Sequence, residues 1–104
     1  MNNEVIAMDP FGKTVYLLPE VLFVKNEALE IYDNAVTVIE KPALVVEVLG
    51  DRSSEFYYLR SIGWNKTLLI IARLKNERWE AYQYLENPSS AFVSSVLKRG
   101  KQVF

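Results

Sequence analysis

The stretch EFYYLRSIGWNKTLLIIARLKNERWEAYQYL, residues 55–85, decides the architecture, because long apolar runs alternate in it with two polar turn signals. Ser54 to Ile62 is rich in Phe, Tyr and Leu, Thr67 to Leu74 is almost continuously apolar, and Arg78 to Tyr84 alternates bulky rings with polar side chains. β-branched and aromatic side chains suit a pleated, half-buried surface, so the stretch reads as three antiparallel strands. The connectors are Gly63-Trp64-Asn65-Lys66 and a tight corner at Lys75-Asn76-Glu77.

Working outward toward the N-terminus, Ala43 to Leu49 reads as a buried strand closed by a turn at Gly50-Asp51-Arg52-Ser53. Between Glu27 and Lys41 the apolar residues Ala28, Ile31, Tyr32, Ala35, Val38 and Ile39 recur at three- and four-residue spacing, the signature of an amphipathic helix. Asn26 can cap its start, and Pro42 stops it by removing a donor. Glu20 to Lys25 is ambiguous between helix and strand. Val5 to Met8 and Thr14 to Leu18 flank Asp9-Pro10-Phe11-Gly12-Lys13, in which Pro sets its own φ and Gly accepts positive φ, so a hairpin or an edge strand fits. Toward the C-terminus, Asn87-Pro88 reads as a helix start, with Ser89 and Ser90 in the first turn. The stripe Phe92, Val93, Val96 and Leu97 runs to Gly100, and Lys98, Arg99 and Lys101 complement the helix dipole at the far end. Trp64 is expected to fold back onto the core.

These elements predict a single α+β domain over 1–104, an antiparallel meander of about four strands with about two or three helices packed on one face. The 104 residues, 50% hydrophobic and 24% charged, suit one core, and the net charge of −1 supplies no general attraction to nucleic acid or anionic membranes. The chain has neither Cys nor His, which removes disulfides, thiolate nucleophiles, imidazole bases and the usual zinc sites; no cofactor or metal is expected. The apolar runs fall well short of the roughly 20 residues of a membrane span, and the first residues lack a signal-peptide pattern, so the expected setting is cytoplasmic, without membrane contact.

Pairing the three central strands predicts the candidate site. A turn at Asn76-Glu77 sets Leu74 against Trp79, Arg73 against Glu80, Ala72 against Ala81 and Ile71 against Tyr82. A four-residue turn at 63–66 sets Arg60 against Leu69 and Tyr58 against Ile71. One face then collects Tyr57, Leu59, Leu68, Ile70, Ala72, Leu74, Trp79 and Ala81 beneath the helices. The other gathers Phe56, Tyr58, Arg60, Leu69, Ile71, Arg73, Glu80, Tyr82 and Tyr84. Two guanidinium groups, a carboxylate and three phenols over an apolar floor match a phosphodiester, since arginine pairs bidentately with phosphate oxygens, tyrosine offers a stacking plane, and a carboxylate near a ribose can take the 2′-OH proton. A cross-strand Arg73–Glu80 pair also has a purely structural reading, as an ordinary ladder contact.

The order of Leu18-Pro19-Glu20-Val21, a helix ending in Glu40-Lys41-Pro42, the strand Ala43 to Leu49, the Phe56-Tyr57-Tyr58 strand, the Leu-Leu-Ile-Ile strand and the Trp79-Glu80-Ala81-Tyr82 strand resembles the barnase/EndoU/RelE-like nuclease superfamily, including its phage-associated and toxin-like members. The resemblance implies a metal-independent RNA endonuclease. Glu80 would be the base, Arg60 and Arg73 the phosphate clamps, and Tyr82 or Tyr84 a proton donor or stacking platform; Tyr58 and Tyr84 are the candidate substrate-binding residues of the same predicted face. The chain departs from that pattern in having no histidine to serve as acid. The alternative is a non-catalytic protein-binding or regulatory domain of antitoxin, immunity or subunit type, using the aromatic sheet face, Trp64 or an exposed edge strand. Its partner would be another protein or a second copy of the chain.

Overall fold

The computed structural model describes residues 5–17, 28–50 and 53–104; the side chains of residues 28–32 are not described. Expectations for Asn26, for Glu20 to Lys25 and for the Asp51-Arg52 part of a turn lie outside the described residues.

The strands are β1 (Val5–Met8), β2 (Thr14–Leu17), β3 (Leu44–Leu49), β4 (Ser54–Gly63), β5 (Lys66–Lys75), β6 (Arg78–Glu86) and β7 (Lys101–Gln102). Among the described residues the helices are α1 (Ala28–Glu40) and α2 (Ser90–Arg99). Among the described residues the strands form one seven-stranded sheet in the order β1-β2-β6-β5-β4-β3-β7. All pairs are antiparallel except β2 with β6, which is parallel and sets Val15 beside Trp79 and Leu17 beside Ala81.

This corrects the expected four-stranded antiparallel meander with helices on one face. The sheet is mixed and larger, and the two helices among the described residues lie on opposite faces. Adjacent residues of a strand point to opposite faces. Val45, Leu68 and Ile70 pack with Ala35, Val38 and Ile39 of α1, while Val46, Leu69 and Ile71 pack with Val96 and Phe92 of α2. The nearly continuous apolar runs of β3 and β5 therefore require cover on both sides, as strands buried on both faces do. Only pairing in space shows that β2 enters the sheet parallel to a strand more than sixty residues away.

The phase of β4 is the second correction. The connection after β4 is a two-residue turn at Trp64-Asn65, with Gly63 paired to Lys66, and the register shifts between Ser61 and Gly63. Asn65, at the second turn position, takes a positive φ of 53°, a conformation Asn tolerates better than most residues. As a result Arg60 faces Leu68 and Tyr58 faces Ile70, each one residue away from the expected partner. Phe56, Tyr58 and Arg60 move to the α1 face, and Tyr57 and Leu59 to the α2 face. At the β5/β6 corner Leu74–Trp79, Arg73–Glu80 and Ala72–Ala81 pair as expected, but a bulge then places Gln83, not Tyr82, against Ile71.

Local details also differ from expectation. Ser89 is the N-cap of α2, its hydroxyl accepting from Phe92 N at 3.1 Å. Asn87, with φ 51°, instead clamps the start of β5: its Oδ1 accepts from Thr67 N at 2.8 Å, and its N donates to Thr67 O at 2.7 Å. Trp64 does not fold back. It is 91% exposed at the hairpin tip.

Candidate functional site

The β1–β2 loop holds a buried polar knot. Asp9 Oδ1 accepts from Phe11 N at 3.0 Å and Lys13 N at 2.8 Å, while Oδ2 accepts from Tyr58 Oη at 2.7 Å and pairs with Lys13 Nζ at 2.9 Å. Gly12, at φ 87°, lets the loop turn back so that these donors converge. The Lys13 ammonium lies 3.8 Å from the Phe56 ring centre, 4.6 Å from that of Phe11 and 5.5 Å from that of Trp79, an arrangement attractive to a partly desolvated cation. Burial, reinforced by Asp9, pushes the Tyr58 phenol far above its ordinary value. Tyr58 is therefore a core residue bracing the loop, with no access to a substrate on the other face. Arg60 reaches from the same face to the end of α1, donating from Nη1 to Lys41 O at 2.7 Å. Tyr84 packs half-buried at the margin of the α1-side core.

Three of the sequence-derived candidates, Arg73, Glu80 and Tyr82, do share a face, the one toward α2. The ladder places Arg73 between Glu55 of β4 and Glu80 of β6. Neither carboxylate takes its guanidinium. Glu80 Oε2 accepts from Arg78 Nε at 3.0 Å, a residue two positions earlier on its own strand, and Arg78 stacks on the Tyr16 ring at 4.3 Å. Glu55 uses both oxygens for phenols: Tyr82 Oη donates to Oε2, and Tyr57 Oη donates to Oε1 at 3.3 Å. Arg73 lies with its guanidinium carbon 4.4 Å from the centre of the Tyr82 ring, and its Nε is buried with no hydrogen-bond partner.

Burial, then Glu55, pushes the Tyr82 phenol well up from its ordinary value, with Arg73 pulling weakly the other way. Tyr57 is also raised, by burial first and then by Glu55, with Arg99 at the end of α2 offsetting part of the shift. Both phenols stay protonated at neutral pH and act as donors. A groove lined by Glu47, Leu49, Arg99, Gly100 and Lys101 opens where α2 meets β3. Gly100 permits that contact, since a Cβ there would lie 2.6 Å from Val46 Cγ1, 2.7 Å from Glu47 O and 2.8 Å from Val48 Cγ2.

Glu55, Tyr57, Arg78 and Arg99 were not among the sequence-derived candidates. The signal that would have found Glu55 is the β4 phase: shifting that strand by one residue brings Glu55 opposite Arg73. Arg99 had a sufficient explanation at the helix terminus and carried no sign of its neighbours. Among the described residues no group of three or more acidic side chains is placed to hold a metal ion, and no helix is long and apolar enough to cross a membrane. Comparison with known proteins leaves the assignment to this geometry, since no family model, curated protein or solved structure matches the chain.

Proposed function

We propose that the chain engages RNA through the α2-side face of the sheet, as a small ribonuclease-type domain whose phosphate clamp is Arg73. The observation that carries this reading is the Arg73 guanidinium, lying on the Tyr82 ring, free of both flanking carboxylates and with Nε unsatisfied. A buried donor without a partner costs about 1–3 kcal/mol, a cost that the side chain would shed by swinging its guanidinium outward onto a phosphate oxygen. Cleavage on this face would have the ribose 2′-OH attack the adjacent phosphorus, closing a 2′,3′-cyclic phosphate and expelling the 5′-oxygen. A carboxylate takes the 2′-OH proton, and a phenol or water protonates the leaving oxygen. Glu80 keeps the role of base, Glu55 joins it as a second carboxylate beside Arg73, and Tyr82 is the donor.

A second reading is favoured by the hydrogen bonds themselves. Glu55 is taken by two phenols and Glu80 by Arg78, and a strongly raised Tyr82 is a reluctant acid. On that reading the same face binds without cleaving. Purified protein is incubated with labelled RNA in EDTA, alongside Arg73→Ala, Glu80→Gln and Glu55→Gln. Cleavage abolished by Arg73→Ala and reduced at least about tenfold by one carboxylate variant supports catalysis. Binding that weakens in Arg73→Ala without any cleavage supports the second reading. RNA neither bound nor cut, or cleavage unchanged in all three variants, overturns both.

A further inference from the structure

The outer edge of the sheet at β1 lies three strands away from the β5 strand that carries Arg73. Among the described residues no strand pairs with its outer side. The Asp9 N to Lys13 O bond at 2.9 Å fixes the alternation of the β1–β2 ladder, so Val5 and Ala7 direct their backbone groups toward β2. The N–H and C=O of Ile6 and Met8 then point outward. Natural edge strands are usually guarded by a lysine, a proline, a bulge or an inward charge. Val5-Ile6-Ala7-Met8 has none of these. The Ile6 and Met8 side chains are 54% and 57% exposed on the face opposite α1, while Ala7 is buried on the α1 side.

We propose that β1 is a homodimerisation edge, pairing antiparallel with β1 of a second copy about a two-fold axis at Ala7. The sequence of the strand is what selects a second copy. A two-fold at Ala7 sets Ile6 of each copy against Met8 of the other, so both exposed apolar side chains are covered and each outward N–H and C=O finds a partner, about four new backbone hydrogen bonds. About this axis Val5 of each copy faces Asp9 of the other, so no like charges of the strand are set opposite one another. The strand itself is uncharged, and Asp9, the carboxylate that follows it, is already neutralised by Lys13. The product is a continuous sheet of two copies, with the Arg73 faces of both left open. The paired edge is short, so the dimer is weak, with dissociation in the range of about 10 μM to 1 mM expected for a contact below the standard interface size.

Sedimentation velocity across about 1 μM to 1 mM tests this, together with hydrogen exchange at the two ends of the range. The expected result is a concentration-dependent monomer–dimer shift, slowed exchange at the Ile6 and Met8 amides in the dimer, and loss of both in Ile6→Lys/Met8→Lys. A monomer throughout the range overturns the proposal, as does a dimer that survives the double substitution. Retained exchange protection in β4 and β5 of the variant shows that it is folded, so loss of dimer then reports on the edge alone.

Discussion

The two faces of this sheet are built by the same strands, often by neighbouring residues, yet they are closed in different ways. Toward α1 the side chains of Val15, Leu17, Val38, Ile39, Val45, Leu68 and Ile70 form a continuous apolar core, and the polar group that enters it, Asp9, is satisfied at both oxygens by Lys13, Tyr58 and two backbone N–H groups. Toward α2 the apolar cluster is smaller. Beside it the same ladder carries Glu55, Tyr57, Arg73, Glu80 and Tyr82, whose hydrogen bonds leave one guanidinium nitrogen without a partner. A polar group in the first face is a structural rivet, because everything it needs comes from the chain. In the second face the chain leaves one need unmet, and that is where a ligand gains most.

Substitution at the two carboxylates is the sharpest way to break this contrast. Asp9→Ala is expected to lower unfolding free energy by about 3–5 kcal/mol, since it strands a caged lysine and a buried phenol. Glu55→Gln keeps shape and acceptor on one side and should cost about 1–2 kcal/mol. Urea denaturation of both checks the difference, and equal losses would erase the distinction between the faces. Gly100→Ala comes next, at about 1–3 kcal/mol, because its Cβ would meet Val46 and Val48 side chains and the Glu47 carbonyl at the seam between α2 and β3. A loss there should also displace Arg99 from Tyr57.

Alkaline pH separates the faces by their tyrosines. Tyr58 and Tyr82 have folded-state values raised above the ordinary phenol value near 10, so their contribution is complete below about pH 10 and declines as pH rises, because only the unfolded chain releases those protons there. Denaturation midpoints measured from neutral pH upward should fall in the native protein. Tyr58→Phe should flatten the fall more than Tyr82→Phe, the former phenol being the more deeply buried. A slope unchanged in Tyr58→Phe would contradict the tight Asp9–Tyr58 contact. The smallest effect belongs to Trp64→Ser, within about 0.5 kcal/mol, because the ring touches little at the exposed tip; a thermal melt of this variant distinguishes exposure from the folding back that its size suggested.

By itself the sequence determined the elements that depend on near neighbours. The periodicity of Ala35, Val38 and Ile39 specified a helical stripe, the Asp-Pro-Phe-Gly-Lys stretch specified a turn compatible with a hairpin or an edge strand, and the Asn76-Glu77 corner specified the pairing of Arg73 with Glu80. The tertiary structure alone decided that β2 joins β6 in parallel, that the helices take opposite faces, and that the shift between Ser61 and Gly63 turns Tyr58 into the core while bringing Glu55 and Tyr57 to Arg73. The physical reason is the two-residue period of a strand. A one-residue difference in a turn leaves composition and hydropathy nearly unchanged but exchanges every side chain between faces, and only packing against both helices selects between the two phases.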